Sequence, residues 1–128
     1  MTMLVPSSAL IVDDEAHIRA YVKLLLRKLG VEVFYEAGDI GAARELWRQH
    51  RPGLVMLDVN MPGGNGLELL PELRAGDDEV YLVMLSANAQ AGTVKEAVEL
   101  GADGFIRKDI PKDQVIEELR VIFAQATE

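Results

Sequence analysis

The sequence contains no cysteine, and this absence excludes several classes of function at once. Thiol catalysis, disulfide bonds and zinc or iron sites built on cysteine all require that residue. The sequence also lacks an apolar run of the roughly 18 residues that a membrane span needs, and its start lacks the charged and apolar regions of a secretory signal. We therefore expect a soluble, cytoplasmic protein with no membrane partner.

Positive charge is also scarce in this chain. The sequence has 13 Lys and Arg residues against 21 Asp and Glu residues, which gives a net charge of −8. The basic residues are scattered, and only Arg27-Lys28 and Arg107-Lys108 are adjacent. Because nucleic-acid binding normally needs a basic face, we expect no direct nucleic-acid binding.

The 128 residues that are present, 49% of them hydrophobic and 27% charged, are typical of one globular domain over residues 1–128. Short runs that are apolar throughout predict strands covered on both faces, as in a parallel sheet. The predicted strands are residues 9–12, 31–35, 54–57, 80–85 and 104–106.

Helical spacing of apolar residues fills the segments between these strands. The first helix is predicted from about Glu15 to Gly30, and Asp39 can cap a second helix that Pro52-Gly53 ends. The third and fourth helices are predicted at residues 67–74 and 92–100, and Gly76 and Gly101 lie near their ends. Pro111 suits the first turn of a fifth helix that reaches almost to Glu128.

Five alternations of strand and helix predict an α/β fold, a doubly wound parallel sheet of the (βα)5 type with helices on both faces. We expect the flavodoxin-like strand order 2-1-3-4-5. In such sheets ligands bind beyond the carboxyl ends of the strands, where the strand order reverses. The polar residues that follow the strands are therefore the candidate site.

Acidic residues follow the first and third predicted strands, which are neighbours in this order. Asp13, Asp14 and Asp58 should therefore lie within a few ångströms of one another. Each like-charged pair 4 Å apart costs on the order of 4 kcal/mol at an effective dielectric near 20, so a bound cation is expected. Ligands that are all oxygen favour Mg²⁺, and Mn²⁺ is a reasonable substitute.

Lys108 and Ser86 follow the fifth and fourth strands and complete a site for a phosphoryl group. Three carboxylates, one Mg²⁺ and the Lys108 ammonium sum to zero charge. Asp58 is the best nucleophile, because it directly follows a buried strand. Lys108, Ser86 and the metal would hold the phosphoryl oxygens. The product would be an aspartyl phosphate.

Taken singly, these residues are weak signals. The pair Asp13-Asp14 resembles the pairs Asp77-Asp78 and Glu117-Glu118, for which simple solvation is the expected role. His17 and His50 lack metal-ligand spacing, so a phosphohistidine role is not favoured. The joint arrangement at the strand ends carries the prediction.

Four motifs closely resemble the receiver domain of bacterial two-component response regulators. They are LIVDDE at residues 10–15, LDVNMPGGNGLELL at 57–70, LSA at 85–87 and GADGFIRK at 101–108. They occur in the order and at the spacing of that family, and the resemblance covers the chain from about Ser8 to Ala124.

The resemblance implies a role for each site residue. Asp58 would be the phosphoacceptor, and Asp14 and Asp58 would bind Mg²⁺ together with the backbone carbonyl of Asn60. Asp13 would act through a metal-bound water. Such a domain catalyses only its own phosphorylation and dephosphorylation, and so is not classed as an enzyme.

The resemblance also implies a conformational switch. Ser86 would move toward the phosphoryl group and Lys108 would contact it, and Phe105 would then turn inward. The face formed by the fourth helix, fifth strand and fifth helix would change shape. The phosphodonor would be a histidine kinase or a phosphotransfer protein, and a downstream protein or output domain would read the changed face.

Two departures limit the resemblance. Lys108 is followed by Asp109 where many receivers have proline, which is more similar to receivers that precede a LuxR-type helix-turn-helix domain. Phe105 lacks the tyrosine hydroxyl of some relatives. Asn60 and Asn88 lie near positions that tune the lifetime of the phosphoryl group in this family.

Several alternatives stay open at this point. The sequence fits a stand-alone regulator, or a receiver from a longer regulator with a LuxR-type DNA-binding output domain. A phosphate-independent interaction module is disfavoured by the complete residue set. A haloacid dehalogenase-type phosphatase would need a second Asp where Asn60 stands, and a flavin binder would need a hydroxyl-rich loop after the first strand.

Overall fold

The structure, a computed structural model, describes residues 5–87 and 90–125. The strands, numbered along the chain, are β1 (Ser8–Val12), β2 (Val33–Ala37), β3 (Leu54–Leu57), β4 (Asn60–Met61), β5 (Gly64–Asn65), β6 (Tyr81–Ser86) and β7 (Gly104–Arg107). The helices are α1 (Ala16–Leu29), α2 (Ile40–His50), α3 (Leu69–Gly76), α4 (Ala91–Glu99) and α5 (Lys112–Gln125).

Five of the strands form one parallel sheet in the order β2-β1-β3-β6-β7. Strands β4 and β5 form a separate two-stranded antiparallel hairpin. When the five long strands are numbered by themselves, the order is 2-1-3-4-5. The predicted α/β fold and strand order are confirmed.

Alternate side chains of each central strand enter two separate cores, one on each face of the sheet. One core holds Ile11 and Met56 with the apolar faces of α1 and α5. The other holds Leu10 and Val55 with apolar side chains of α2, α3 and α4. Because both faces are covered, β1, β3 and β6 are almost wholly buried, as continuous apolar runs predict.

The second strand begins two residues later than predicted. The backbone N–H of Val31 donates to Leu26 O at 3.0 Å, which closes the end of α1 and takes Val31 out of the sheet. Pairing with β1 starts at Val33, opposite Ser8. The strand then runs to Ala37 at the edge of the sheet.

The helix ends follow local chemistry. Gly30 adopts a left-handed φ of 110° after α1, and the Asp39 side chain accepts a hydrogen bond of 2.7 Å from Ala42 N at the start of α2. Both predicted end signals are confirmed. Pro111 lies one residue before α5 rather than in its first turn, and its carbonyl accepts hydrogen bonds from Gln114 and Val115. The prediction that this helix nearly reaches Glu128 concerns residues 126–128, which lie outside the described residues.

The predicted third helix is two elements. A 3-10 turn (Gly66–Glu68) comes first, with the Asn65 side chain accepting from Leu67 N at 2.8 Å, and α3 begins only at Leu69. The fourth helix and the fourth long strand are each displaced by one residue from prediction. No helix in the described ranges is long and apolar enough to span a membrane.

Candidate functional site

Asp13 and Asp14 directly follow β1, at the carboxyl edge of the sheet. Asp13 is buried and its backbone continues the sheet, since its N–H donates to Ala37 O at 3.0 Å. One carboxylate oxygen, Asp13 Oδ1, accepts from Glu15 N at 2.9 Å. Asp14 is exposed. The turn therefore holds one acid inside the site and presents the other to solvent.

Asp58 directly follows β3, the neighbour of β1. Its N–H donates to Val12 O at 3.0 Å, and its side chain is buried. Oxygen atoms of the Asp13, Asp14 and Asp58 carboxylates all lie within 4.8 Å of one another. The expectation that these two strand ends bring the three acids together is confirmed.

Lys108, the residue that follows the edge strand β7, reaches this acidic group. Its Nζ lies 2.7 Å from Asp13 Oδ2 and 3.0 Å from Asp58 Oδ2. The Lys108 N–H donates to Ser86 O at 2.9 Å, which anchors the lysine backbone to the end of β6. Glu15, which the sequence analysis did not single out, also lies near the ammonium, at 3.7 Å.

Burial and neighbouring charges shift the pKa values of Asp58 and Lys108. Burial raises the pKa of Asp58 above its usual value, although its hydrogen bond from Lys108 partly opposes the shift. Burial alone would lower the pKa of Lys108, but the nearby Asp13 and Asp58 carboxylates outweigh it and raise that pKa. At neutral pH the ammonium is therefore charged.

The donor set suits a hard divalent cation. Three carboxylates and one ammonium leave a net charge of −2 in a partly buried site. Asp13 Oδ2 is buried, and its contact in the site is the 2.7 Å ion pair with Lys108 Nζ. Oxygen ligands of this kind and number are those that Mg²⁺ uses in proteins. The residues of this site therefore fit Mg²⁺.

Ser86 is the last residue of β6 and is fully buried. Leu57 pairs with Met84 across β3 and β6, so Ser86 lies one residue beyond the position opposite Asp58. The serine thus stands at the same sheet edge as the acidic group, as predicted from its place after an apolar run.

Asn60 begins the β4–β5 hairpin, which the sequence analysis did not predict. Its N–H lies 3.4 Å from Asp58 Oδ1, and it pairs with Asn65 across the hairpin. The hairpin folds back so that Gly66 N donates to Val59 O at 2.7 Å. Gly66 is packed against the Asp58 carbonyl so tightly that a Cβ atom would overlap it. The glycines of residues 63–66 were the available signal for this turn.

Phe105 lies on β7 opposite Met84 and is half-buried. It borders a cavity between α4 and α5. The cavity is lined by Val94, Phe105, Arg107, Ile110, Gln114 and Glu118. The role of Phe105 as a switch residue stays a prediction.

Neither histidine is part of the acidic cluster. His17 is exposed on α1, and His50 is exposed at the end of α2, where its ring stacks on Tyr35 with 4.1 Å between the centroids. Neither belongs to the cluster of possible metal ligands found in the described ranges. Asn88, the other predicted lifetime position, lies outside the described residues.

The chain is similar to proteins of one known family. A sequence model of the family described as the response regulator receiver domain matches residues 9–120. Chemotaxis protein CheY of Bacillus subtilis (strain 168) is 38% identical over 110 residues, which cover 86% of this chain and 92% of that protein.

Solved structures of response regulators also resemble this chain. A chain of the CheX-CheY-BeF3-Mg²⁺ complex from Borrelia burgdorferi superposes with a TM-score of 0.85 and 26% identity, covering 93% of this chain and 90% of that one. A LuxR-family two-component response regulator from Aurantimonas sp. SI85-9A1 superposes with a TM-score of 0.84 and 27% sequence identity. The match covers 95% of this chain and 87% of that one. This chain therefore belongs to the receiver domains of two-component response regulators, the CheY-like signalling modules.

Proposed function

We propose that this chain is a phosphorylation-controlled switch in which the Asp58 carboxylate accepts a phosphoryl group in the presence of Mg²⁺. The observation that carries the proposal is the convergence of Asp13, Asp14 and Asp58 with the Lys108 ammonium. Receiver domains are signalling modules rather than classical enzymes, and they bind Mg²⁺ at such acidic clusters. The complex with BeF3 and Mg²⁺ from Borrelia burgdorferi supports the same chemistry here.

Asp58 acts as the nucleophile. One of its carboxylate oxygens forms a bond to phosphorus while the bond between phosphorus and the donor breaks, and the leaving group takes that electron pair. Asp14, Asp58 and the carbonyl of Asn60 would hold the cation, and Asp13 would act through a metal-bound water; Mn²⁺ could replace Mg²⁺. When bound, the cation offsets negative charge as it builds on the phosphoryl oxygens.

Lys108 and Ser86 stabilise the product. The Lys108 ammonium already lies 3.0 Å from Asp58 Oδ2, so it can pair with the phosphoryl group without a large movement. Ser86 stands at the adjacent strand end and supplies a hydroxyl. Its movement toward the phosphoryl group leaves space behind β6 and β7, into which Phe105 turns.

The output is a change in the surface formed by α4, β7 and α5. Receiver domains interact with kinases and output partners. The donor to this chain is a histidine kinase or a phosphotransfer protein, and the reader is a downstream protein or an output domain. We propose that residues 1–128 form a single receiver domain, with its core at about 8–124.

Phosphorylation by a small donor tests this proposal. Incubation with acetyl phosphate and Mg²⁺ should add one phosphoryl group to the intact mass, because the cation lets the acidic cluster accept another anion. Chelation of the metal with EDTA should prevent the gain, and Mn²⁺ should restore it. A gain of equal extent in EDTA would contradict the assigned role of the acidic cluster.

Replacing Lys108 by Ala should separate phosphorylation from the switch. The variant retains Asp58 and the other residues that would bind the metal, so it should still gain a phosphoryl group. It lacks the Lys108 ammonium, which links the phosphoryl group to the end of β7. We expect amide chemical shifts of α4, β7 and α5 to change on phosphorylation of the wild type and to change little in Lys108→Ala. Arg120→Ala, on the exposed surface of α5, is the control and should respond like the wild type. A wild-type response in Lys108→Ala would remove Lys108 from the switch.

A further inference from the structure

Arg19 on α1 connects two elements through one guanidinium group. Its Nη1 donates to the backbone carbonyl of Asp13 at 2.6 Å, and its Nε donates to Glu36 Oε1 on β2 at 3.1 Å. Only 20% of the side chain is exposed. The arginine is thus a rigid brace between the edge strand and the turn that carries the first two acids.

The carbonyl that Arg19 holds belongs to the peptide joining Asp13 to Asp14. Asp13 has further anchors, at Ala37 O and Glu15 N. The Asp14 side chain, in contrast, has no hydrogen bond or ion pair with any other described residue. The peptide that Arg19 holds therefore sets the direction of the Asp14 Cα–Cβ bond, and with it the range of positions that the carboxylate can reach.

Glu36 supports the arginine from the other side. Its carboxylate accepts from Arg19 and also pairs with Lys23 Nζ at 2.9 Å, one turn further along α1. The hydrogen bond from Lys23 and the one from Arg19 lower the pKa of Glu36 despite its partial burial. Glu36 is therefore ionised at neutral pH and holds the arginine in place.

We propose that Arg19 is a positioning residue that fixes the Asp13–Asp14 peptide and so makes the acidic cluster selective for Mg²⁺ over Ca²⁺. The inference rests on the proposed function, since it assumes a divalent cation at that cluster. Mg²⁺ requires short, near-octahedral coordination, whereas Ca²⁺ accepts longer and more variable geometry. Loosening the turn therefore weakens Mg²⁺ binding more than Ca²⁺ binding.

Calorimetric titration of the whole chain with each metal tests this inference. Arg19→Ala should raise the dissociation constant for Mg²⁺ about tenfold, the usual effect of losing a support behind the ligands, and that for Ca²⁺ less than about threefold. Simple electrostatics predicts the opposite change in Arg19→Ala, a lower dissociation constant for both metals, because removing a nearby positive charge strengthens binding of both cations. Arg19→Lys, which keeps the charge but has only one nitrogen, should show the same loss of selectivity as Arg19→Ala.

Lys23→Ala is the matched control. It removes one positive charge from the same group of side chains but leaves both hydrogen bonds of Arg19 in place, so the ratio of Mg²⁺ to Ca²⁺ affinity should stay at the wild-type level. An unchanged ratio of Mg²⁺ to Ca²⁺ affinity in Arg19→Ala would overturn the positioning role.

Two further measurements separate the possible failures. If the wild type binds no Mg²⁺, the proposed function fails rather than the role of Arg19. If Arg19→Ala does not fold, as judged by thermal unfolding in EDTA, Glu36→Gln replaces it. This milder change weakens the brace without touching Asp13 and should shift selectivity in the same direction; no shift in selectivity would overturn the inference.

Discussion

Replacing Asp58 by Asn is expected to abolish phosphorylation and, without metal, to raise the melting temperature. Asparagine offers no carboxylate nucleophile, so acetyl phosphate with Mg²⁺ should add no phosphoryl group to the intact mass. The stabilising effect follows from burial, which raises the pKa of the Asp58 carboxyl and so makes its charged form unfavourable in the folded protein.

The pH dependence of stability has a defined sign. Because the pKa of Asp58 is higher in the folded than in the unfolded protein, the folded state binds more protons between those two values. Wild-type stability therefore falls as pH rises through that window, and the loss persists above it. Asp58→Asn has no carboxyl at this position and should not lose stability in this way as the pH rises. Each kcal/mol regained should raise the melting temperature by about 4 °C in a domain of this size.

Mg²⁺ should reverse the difference in melting temperature between the wild type and Asp58→Asn. Mg²⁺ binds the folded wild type and should raise its melting temperature, whereas Asp58→Asn has lost a ligand and should respond weakly. Asp78→Asn removes the same charge from an exposed position and is the control, with wild-type phosphorylation and metal response expected. A stable phosphoryl group on Asp58→Asn, or a lower melting temperature in EDTA, would contradict the account.

Replacing Gly66 by Ala should cost about 3 kcal/mol of unfolding free energy, at the upper end of overpacking effects. A Cβ at this position would overlap the Asp58 carbonyl, and Leu57 Cδ1 lies 3.4 Å away. Gly66 cannot simply retreat, because its N–H donates to Val59 O at 2.7 Å. The phosphoacceptor backbone must therefore move, and the rate of phosphorylation should fall together with stability.

Gly92→Ala on α4 is the matched control for this prediction. Apart from its chain neighbours and the backbone of its own helix, no described residue lies within 4 Å of the added Cβ. Alanine in a helix should raise the free energy of unfolding by about 0.5 kcal/mol. Urea denaturation measures both variants. Wild-type stability and phosphorylation in Gly66→Ala would show that the hairpin does not set the position of Asp58.

The sequence predicted the sheet and the acidic cluster because both depend on local patterns and one topological rule. Continuous apolar runs such as residues 54–57 identify strands buried on both faces. The order of these strands then places the residues that follow them, Asp13 and Asp58 among them, at one edge. No distant contact had to be known.

The features that the sequence did not predict either depend on contacts between distant residues or are local turns too short to give a periodic pattern. The brace formed by Arg19 and Glu36 joins residues 17 positions apart, and a charged pair on an amphipathic helix and an edge strand has no distinct sequence pattern. The β4–β5 hairpin is too short for a periodic signal. Val31 is apolar and buried, yet it belongs to a helix end rather than a strand, because its N–H is used by Leu26 O.

Chemical mapping of the phosphorylated residue tests the central claim most directly. Borohydride reduces an acyl phosphate to an alcohol, so treatment of the phosphorylated chain converts a phosphorylated aspartate to homoserine. Peptide mass spectrometry should then find homoserine at position 58, only after incubation with acetyl phosphate and Mg²⁺. Homoserine at Asp13 or Asp14 instead, or a phosphoryl group on His17 or His50, would contradict the assignment of Asp58 as the phosphoacceptor.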